Sequence, residues 1–264
     1  MLLKRVIVAL IAIPLIYICL AELPPVFFLI LLALVSALAQ YECYAMYKTS
    51  GSMTVLGIMS GTGLLGASHF MTPSAAATAW SVIFILIFVI ISTARLFIIK
   101  DPSSALSDIA PVLIGILYIP SLLLSAWYLR LMGYELLILL LLCVWSADSF
   151  AYFIGKNFGK RKLYLEVSPN KTVEGAAGSV AGGILASLIF GSFFLKDISI
   201  MSLLIIGSVL GAVTVVGDLV ESMFKRDACI KDSGSLIPGH GGVLDRIDSI
   251  LFAAPALYLL KILL

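Results

Sequence analysis

Long uncharged apolar runs, each interrupted by a short polar cluster, recur along the whole chain. Runs near 20 residues predict membrane-crossing helices rather than strands or amphipathic surface helices. Nine spans are predicted, over residues 6–21, 26–41, 53–70, 75–94, 109–129, 134–154, 175–195, 198–223 and 243–263. The third contains Gly57, Gly61, Gly63 and Gly66, which lower helix propensity, so it is expected as either a full span or a broken or re-entrant segment. Lys4 and Arg5 ahead of the first run resemble the start of a signal peptide, but no A-x-A cleavage pattern follows. The expected fold is therefore all-α, a polytopic membrane helix bundle of about nine spans. Residues 1–133 form its scaffold, and residues 134–264 carry the polar motifs.

Composition agrees with that pattern. Hydrophobic residues make up 61% of the 264 and charged residues 12%, at a mean hydropathy of +1.14. Soluble domains run at about 45–50% apolar and about 25% charged, so a water-soluble globule and a disordered chain are excluded. The formal net charge of +2 is too small to suggest a nucleic-acid binder. Cys19, Cys43, Cys143 and Cys229 form no CxxC pair and are given no metal or redox role.

The placement of basic residues orients the bundle. Taking nine crossings, the N-terminus and the loops on its side hold 14 Lys and Arg, against 3 on the other side. The positive-inside rule then puts the N-terminus in the cytoplasm and the C-terminus outside, in a cytoplasmic (inner) membrane.

Two polar constellations lie at the cytoplasmic side. The first runs from Trp145 to Gly175. Ser146, Asp148 and Ser149 fall inside the sixth span, where an ionisable group costs roughly 2.5–3.5 kcal/mol unless it meets a partner or a wet cavity. Asp148 is thus a functional candidate. Ser168-Pro-Asn-Lys171-Thr172 reads as a turn leading into a helix, with Thr172 as N-cap and Glu174 in the first turn. Free N–H groups there, with Lys171 beside them, suit a phosphate, although a plain capped helix has the same local spacing.

The second constellation runs from Gly217 to Ser249. Asp218, Glu221, Ser222 and Lys225 are spaced i, i+3, i+4 and i+7 and share one helix face, and Asp245, Asp248, Ser249 and Phe252 repeat the spacing on the last span. Two facing carboxylate ladders make an oxygen-rich pocket suited to Mg²⁺, which takes one or two carboxylates plus substrate phosphates. Lys225, Arg226 and Lys231 add charge for a polyphosphate, and glycines around His240 let backbone approach a ligand closely. A purely structural ion-pair network is the simpler alternative, but so many charges at a membrane edge are costly without a ligand. Gly178 and Gly182 are read as a packing face. Walker, HExxH, GxSxG and Rossmann patterns are absent.

The segment S-x-F-K-R-x(4)-K-D-x-G-x(2)-I-P-x-H-G-G-V-x-D-R-I-D, Ser222 to Asp248, resembles the signature of the phosphatidate cytidylyltransferases, or CDP-diacylglycerol synthases. Two upstream elements, S-x-D-x-x-A-Y-x-x-G-x-x-x-G-K from Ser146 to Lys160 and S-P-x-K-T-x-E-G from Ser168 to Gly175, are similar to further landmarks of that family in the same order. Val173 stands where the family often has an aromatic residue.

The resemblance implies transfer of the cytidylyl group of CTP to phosphatidic acid at the cytoplasmic membrane edge. It implies Asp218 and Asp245 as Mg²⁺ ligands, with room for a second cation, and Asp148 and Asp248 beside them. Lys225, Arg226, Lys231, Arg246 and His240 would act on phosphates, while Ser146, Ser168, Lys171, Thr172, Glu174 and Ser222 would meet substrate. Expected partners are CTP, phosphatidic acid and membrane lipid, with small-residue faces compatible with a homodimer. The competing class, a polytopic transporter of an anionic metabolite, places its charges near the midplane in repeated halves, and neither feature is visible. A CDP-alcohol phosphotransferase would need D-x(2)-D-G-x(2)-A-R, which is missing.

Overall fold

A computed structural model describes residues 14–71, 73–234 and 241–264. The described residues fold as α1 (Pro25–Met46), α2 (Gly51–Ser68), α3 (Pro73–Ile98), α4 (Ala105–Tyr118), α5 (Pro120–Met132), α6 (Tyr134–Phe158), α7 (Val173–Phe194), α8 (Ile200–Asp227) and α9 (Leu244–Leu263). A two-stranded antiparallel hairpin, β1 (Lys162–Tyr164) and β2 (Ser168–Thr172), interrupts the helices between α6 and α7. Six stretches among the described residues are long and apolar enough to cross a membrane. The chain is an integral membrane helix bundle. Of the first expected span, residues 6–13 lie outside the described residues; residues 14–17 are helical and lead into a π-helical turn, Ile18–Glu22.

Two departures from the expected spans have local causes. The fifth is divided at Ile119, because Pro120 has no N–H to continue the hydrogen-bond ladder of α4 and opens α5 instead. The glycine-rich third is one unbroken helix, α2, and it is not among the six stretches long and apolar enough to cross a membrane. Ser36, Gln40 and Tyr44 form one fully buried polar stripe on α1. The Gln40 amide donates to the Tyr44 hydroxyl (2.8 Å) and the Gly57 carbonyl (3.1 Å), and the Tyr44 hydroxyl donates to the Val112 carbonyl (3.2 Å). A Cβ at Gly57 would lie 2.7 Å from the Tyr44 ring, and one at Gly61 would collide with the Gln40 amide. The glycines therefore let α2 approach a hydrogen-bonded helix face, which compensates their low propensity.

The chain forms two compact units: Met1–Trp127 with Asp232–Leu244, and Tyr128–Lys231 with Asp245–Leu264. In the first, Arg95 near the end of α3 pairs with Asp108 at 2.7 Å and donates to the carbonyls of Ile99, Asp101 and Ser103, tying the turn between α3 and α4.

The second unit is held by small residues. Ser146 Oγ donates to the Gly182 carbonyl (2.9 Å), Ser179 Oγ to that of Gly211 (2.8 Å) and Ser187 Oγ to that of Leu203 (2.8 Å), so α7 meets α6 and α8 at backbone distance. A Cβ at Gly182 would lie 2.7 Å from the Ser146 carbonyl, and one at Gly178 2.8 Å from Ile154. The small-residue face of α7, with Gly178 and Gly182, is thus a packing face inside the chain.

Candidate active site

The second unit brings most of the candidate residues to one end of its helices. Asp148 sits on α6, ten residues before that helix ends, and remains accessible at the surface. It lies within electrostatic range of Asp248, Asp218 and Lys171. Lys171 is on β2 rather than in the expected turn: the segment Ser168–Thr172 is a strand, because pairing with Lys162–Tyr164 satisfies its backbone. That strand delivers Lys171 Nζ to Asp218 Oδ2 at 2.7 Å.

On α8 the i, i+3, i+4, i+7 face is realised. Ser222 Oγ donates to Asp218 Oδ1 (3.2 Å), and Lys225 forms an ion pair with Glu221, whose side chain has no exposed surface. Lys225 Nζ also reaches Asp245 Oδ1 of α9 at 2.7 Å. Asp248 accepts from the Ser249 N–H (2.6 Å), and Ser249 Oγ donates to the Thr214 carbonyl, which fixes the facing of α8 and α9. A Cβ at Gly217 would lie 2.7 Å from the Asp248 carbonyl, so glycine there permits that approach. The carboxylates consequently form two groups: Asp148, Asp218 and Asp248 around Lys171, and Glu221 with Asp245 around Lys225.

Other candidates serve the architecture around this cluster. Thr172 caps α7, its Oγ1 accepting from the Gly175 N–H at 3.0 Å. Glu174 accepts from the Lys160 N–H (3.0 Å) and the Arg161 N–H (3.2 Å), fastening the entry to the hairpin. Arg226 donates to the carbonyls of Val167 (3.2 Å) and Ile230 (3.0 Å), joining the hairpin turn to the end of α8. The Ser146 hydroxyl is committed to Gly182. Lys231 and Arg246 are exposed, Ser168 is half-buried in β2, and His240 lies outside the described residues.

Among the described residues, no three His, Cys, Asp or Glu side chains form a ready metal cage. The donor set still fits Mg²⁺, an ion that completes its shell with substrate phosphates and water around one or two protein carboxylates. The spacing places Glu221 on the helix face of Asp218 and Lys225, but its complete burial beside Lys225 follows only from packing.

A family model described as the cytidylyltransferase family matches residues 3–264. A phosphatidate cytidylyltransferase of Staphylococcus saprophyticus is 35% identical over 216 residues, covering 80% of each chain. One of Bacillus subtilis is 51% identical over 117 residues, 44% of each chain. One of Haemophilus influenzae is 48% identical over 127 residues, 47% of this chain and 44% of that protein. The matched segment thus spans less than half the length of two of these relatives and four fifths of the third.

Proposed function

The chain belongs to the cytidylyltransferase family, and from that premise we propose that it transfers the cytidylyl group of CTP to phosphatidic acid, giving CDP-diacylglycerol and pyrophosphate. The observation that carries this reading is the cluster of Asp148, Lys171, Asp218, Glu221, Lys225, Asp245 and Asp248, brought together by α6, β2, α8 and α9 beside the apolar stretches of α6 and α8. A lipid phosphate and a water-borne nucleotide meet only at a membrane edge. A phosphate oxygen of phosphatidate attacks the α-phosphorus of CTP in line. The bond from that phosphorus to the bridging oxygen breaks, and pyrophosphate leaves with the electron pair. No protein nucleophile is needed, so positioning and charge stabilisation supply the catalysis.

Asp218 of the Lys171 group and Asp245 of the Lys225 group would each offer a carboxylate to Mg²⁺, with Asp148 and Asp248 as neighbouring carboxylates. The ion would offset negative charge on the triphosphate. Lys171 and Lys225, paired with carboxylates in the free protein, are positioned to exchange those partners for phosphate oxygens. Arg226 and Glu174 hold the hairpin against the helix ends, while Lys231 and Arg246 remain exposed to draw in the nucleotide. A transporter reading receives no support from a charge cluster confined to one end of the helices.

The direct test incubates purified protein in phosphatidate-containing micelles with α-labelled CTP and Mg²⁺. Label should appear in CDP-diacylglycerol with an equal amount of pyrophosphate; absence of both overturns the reading. His240, between Gly239 and Gly241, is assigned to a phosphate oxygen as a hydrogen-bond donor. His240→Gln is therefore expected to keep much more activity than His240→Ala, and equal rates for wild type and Ala would remove the residue from the site.

With nine crossings the basic residues divide 14 to 3, and on that division the active site faces the cytoplasm of the inner membrane, with the N-terminus on the same side. A cysteine placed at position 160 should be labelled by an impermeant thiol reagent only after the membrane is opened, and one at position 264 in intact cells. Labelling of position 160 in intact cells would reverse the topology.

A further inference from the structure

Glu42 lies on α1, in the unit that the apolar pattern presents as scaffold, and is 2% exposed. Its carboxyl group is occupied by one segment. Oε1 accepts from the Val243 N–H at 2.9 Å, and Oε2 accepts from the Leu244 N–H at 2.8 Å and from Ser233 Oγ at 3.1 Å. Gly234 and Gly242 pack directly on it. A Cβ at Gly234 would lie 2.6 Å from Oε1, and one at Gly242 would collide with both Oε2 and Ser233 Oγ. One buried carboxyl group therefore grips both ends of the segment from Ser233 to Leu244, which belongs to the same compact unit.

The grip falls where the chain enters α9. Leu244 is the first residue of that helix, and its N–H, like that of Val243, has no acceptor within the helix. A carboxyl group there satisfies both donors and complements the positive end of the helix dipole. The next residue along the chain is Asp245. We propose that Glu42 is a positioning residue for nucleotide transfer: it holds Ser233 and Gly234 against Gly242, Val243 and Leu244 and so sets the residue at which α9 begins. This rests on the cytidylyl-transfer reading for its consequence, not for its geometry.

The geometry specifies the variant. Glu42→Gln keeps the side-chain length but turns one acceptor into a donor, which must then face an N–H or give up its place. Amide hydrogen exchange in detergent micelles should rise at least tenfold at Val243 and Leu244 in Glu42→Gln, with the rest of α1 unchanged. The kcat/KM for CTP should fall at least tenfold, mainly through a higher KM for CTP, while the KM for phosphatidate stays within twofold. A general loss of folding would move both substrates together and would not localise the exchange. If Glu42→Gln does not fold, Gly242→Ala decides, because its added methyl group displaces the grip without touching a charge and should give the same pattern. Unchanged exchange at 243–244 overturns the proposal, and so does raised exchange with kcat/KM for CTP within twofold of wild type. A wild-type protein that forms no CDP-diacylglycerol defeats the functional reading alone, since the exchange experiment does not need turnover.

Discussion

Asp218→Asn and Asp245→Asn are each expected to lower turnover of CTP and phosphatidate by more than about tenfold, or roughly 1.4 kcal/mol in the barrier. Each substitution keeps the shape of the side chain and removes one negative charge. Asp218 meets Lys171 at 2.7 Å and Ser222 at 3.2 Å; Asp245 meets Lys225 at 2.7 Å. Two explanations of these carboxylates make different forecasts. If they hold Mg²⁺ with the substrate phosphates, the Asn variants should need severalfold more Mg²⁺ for half-maximal rate while inserting and melting close to wild type. Simple neutralisation of Lys171 and Lys225 would leave the Mg²⁺ requirement unchanged. Titrating Mg²⁺ at fixed CTP separates the two, and Asn variants that turn over normally at wild-type Mg²⁺ concentrations overturn the assignment.

The spacing of Asp218, Glu221, Ser222 and Lys225 was legible because a helix face is a local property, fixed by 3.6 residues per turn. Which lysine meets which carboxylate was not. Lys171 reaches Asp218 only because Ser168–Thr172 pairs as a strand with Lys162–Tyr164, and local spacing is equally consistent with a turn there. The cap on α7 illustrates both sides of this. Thr172 and Glu174 were correctly placed at the helix start, yet Glu174 is committed to the Lys160 and Arg161 amides, partners supplied by the preceding loop.

A charge does not mark the edge of a span where the fold buries it. The apolar pattern ends the second span at residue 41, just ahead of Glu42, whereas α1 runs to Met46 with Glu42 buried. A carboxyl group can stay inside a helix when distant N–H groups satisfy it, and here those come from Val243 and Leu244. Nothing near position 42 announces that. Gly57 and Gly61 leave the third span open between a whole and a broken helix, and the neighbouring helix bearing Gln40 and Tyr44 compensates their low propensity so that the helix is whole. In each case the missing information was the tertiary partner, and hydropathy does not encode it.

Lys225 carries the largest expected effect on stability. It is 12% exposed and bridges Glu221, which has no exposed side-chain surface, to Asp245, which is 11% exposed. Lys225→Met fills similar space but leaves two largely buried carboxylates without their cation. Removing one partner of a buried pair typically costs about 3–5 kcal/mol, because the remaining charge is neither solvated nor compensated. A clear fall in the melting temperature in detergent is expected, together with loss of turnover. The double variant Glu221→Gln/Lys225→Met removes one carboxylate with the lysine and should recover a substantial part of the melting temperature, since the two positions touch and their effects are not additive. Turnover should not return, because the cation assigned to the triphosphate is still missing. Stability and activity therefore separate in the double variant. If Lys225→Met melts with wild type, the bridge contributes nothing to folding; if the double variant turns over CTP normally, Lys225 is not part of the site.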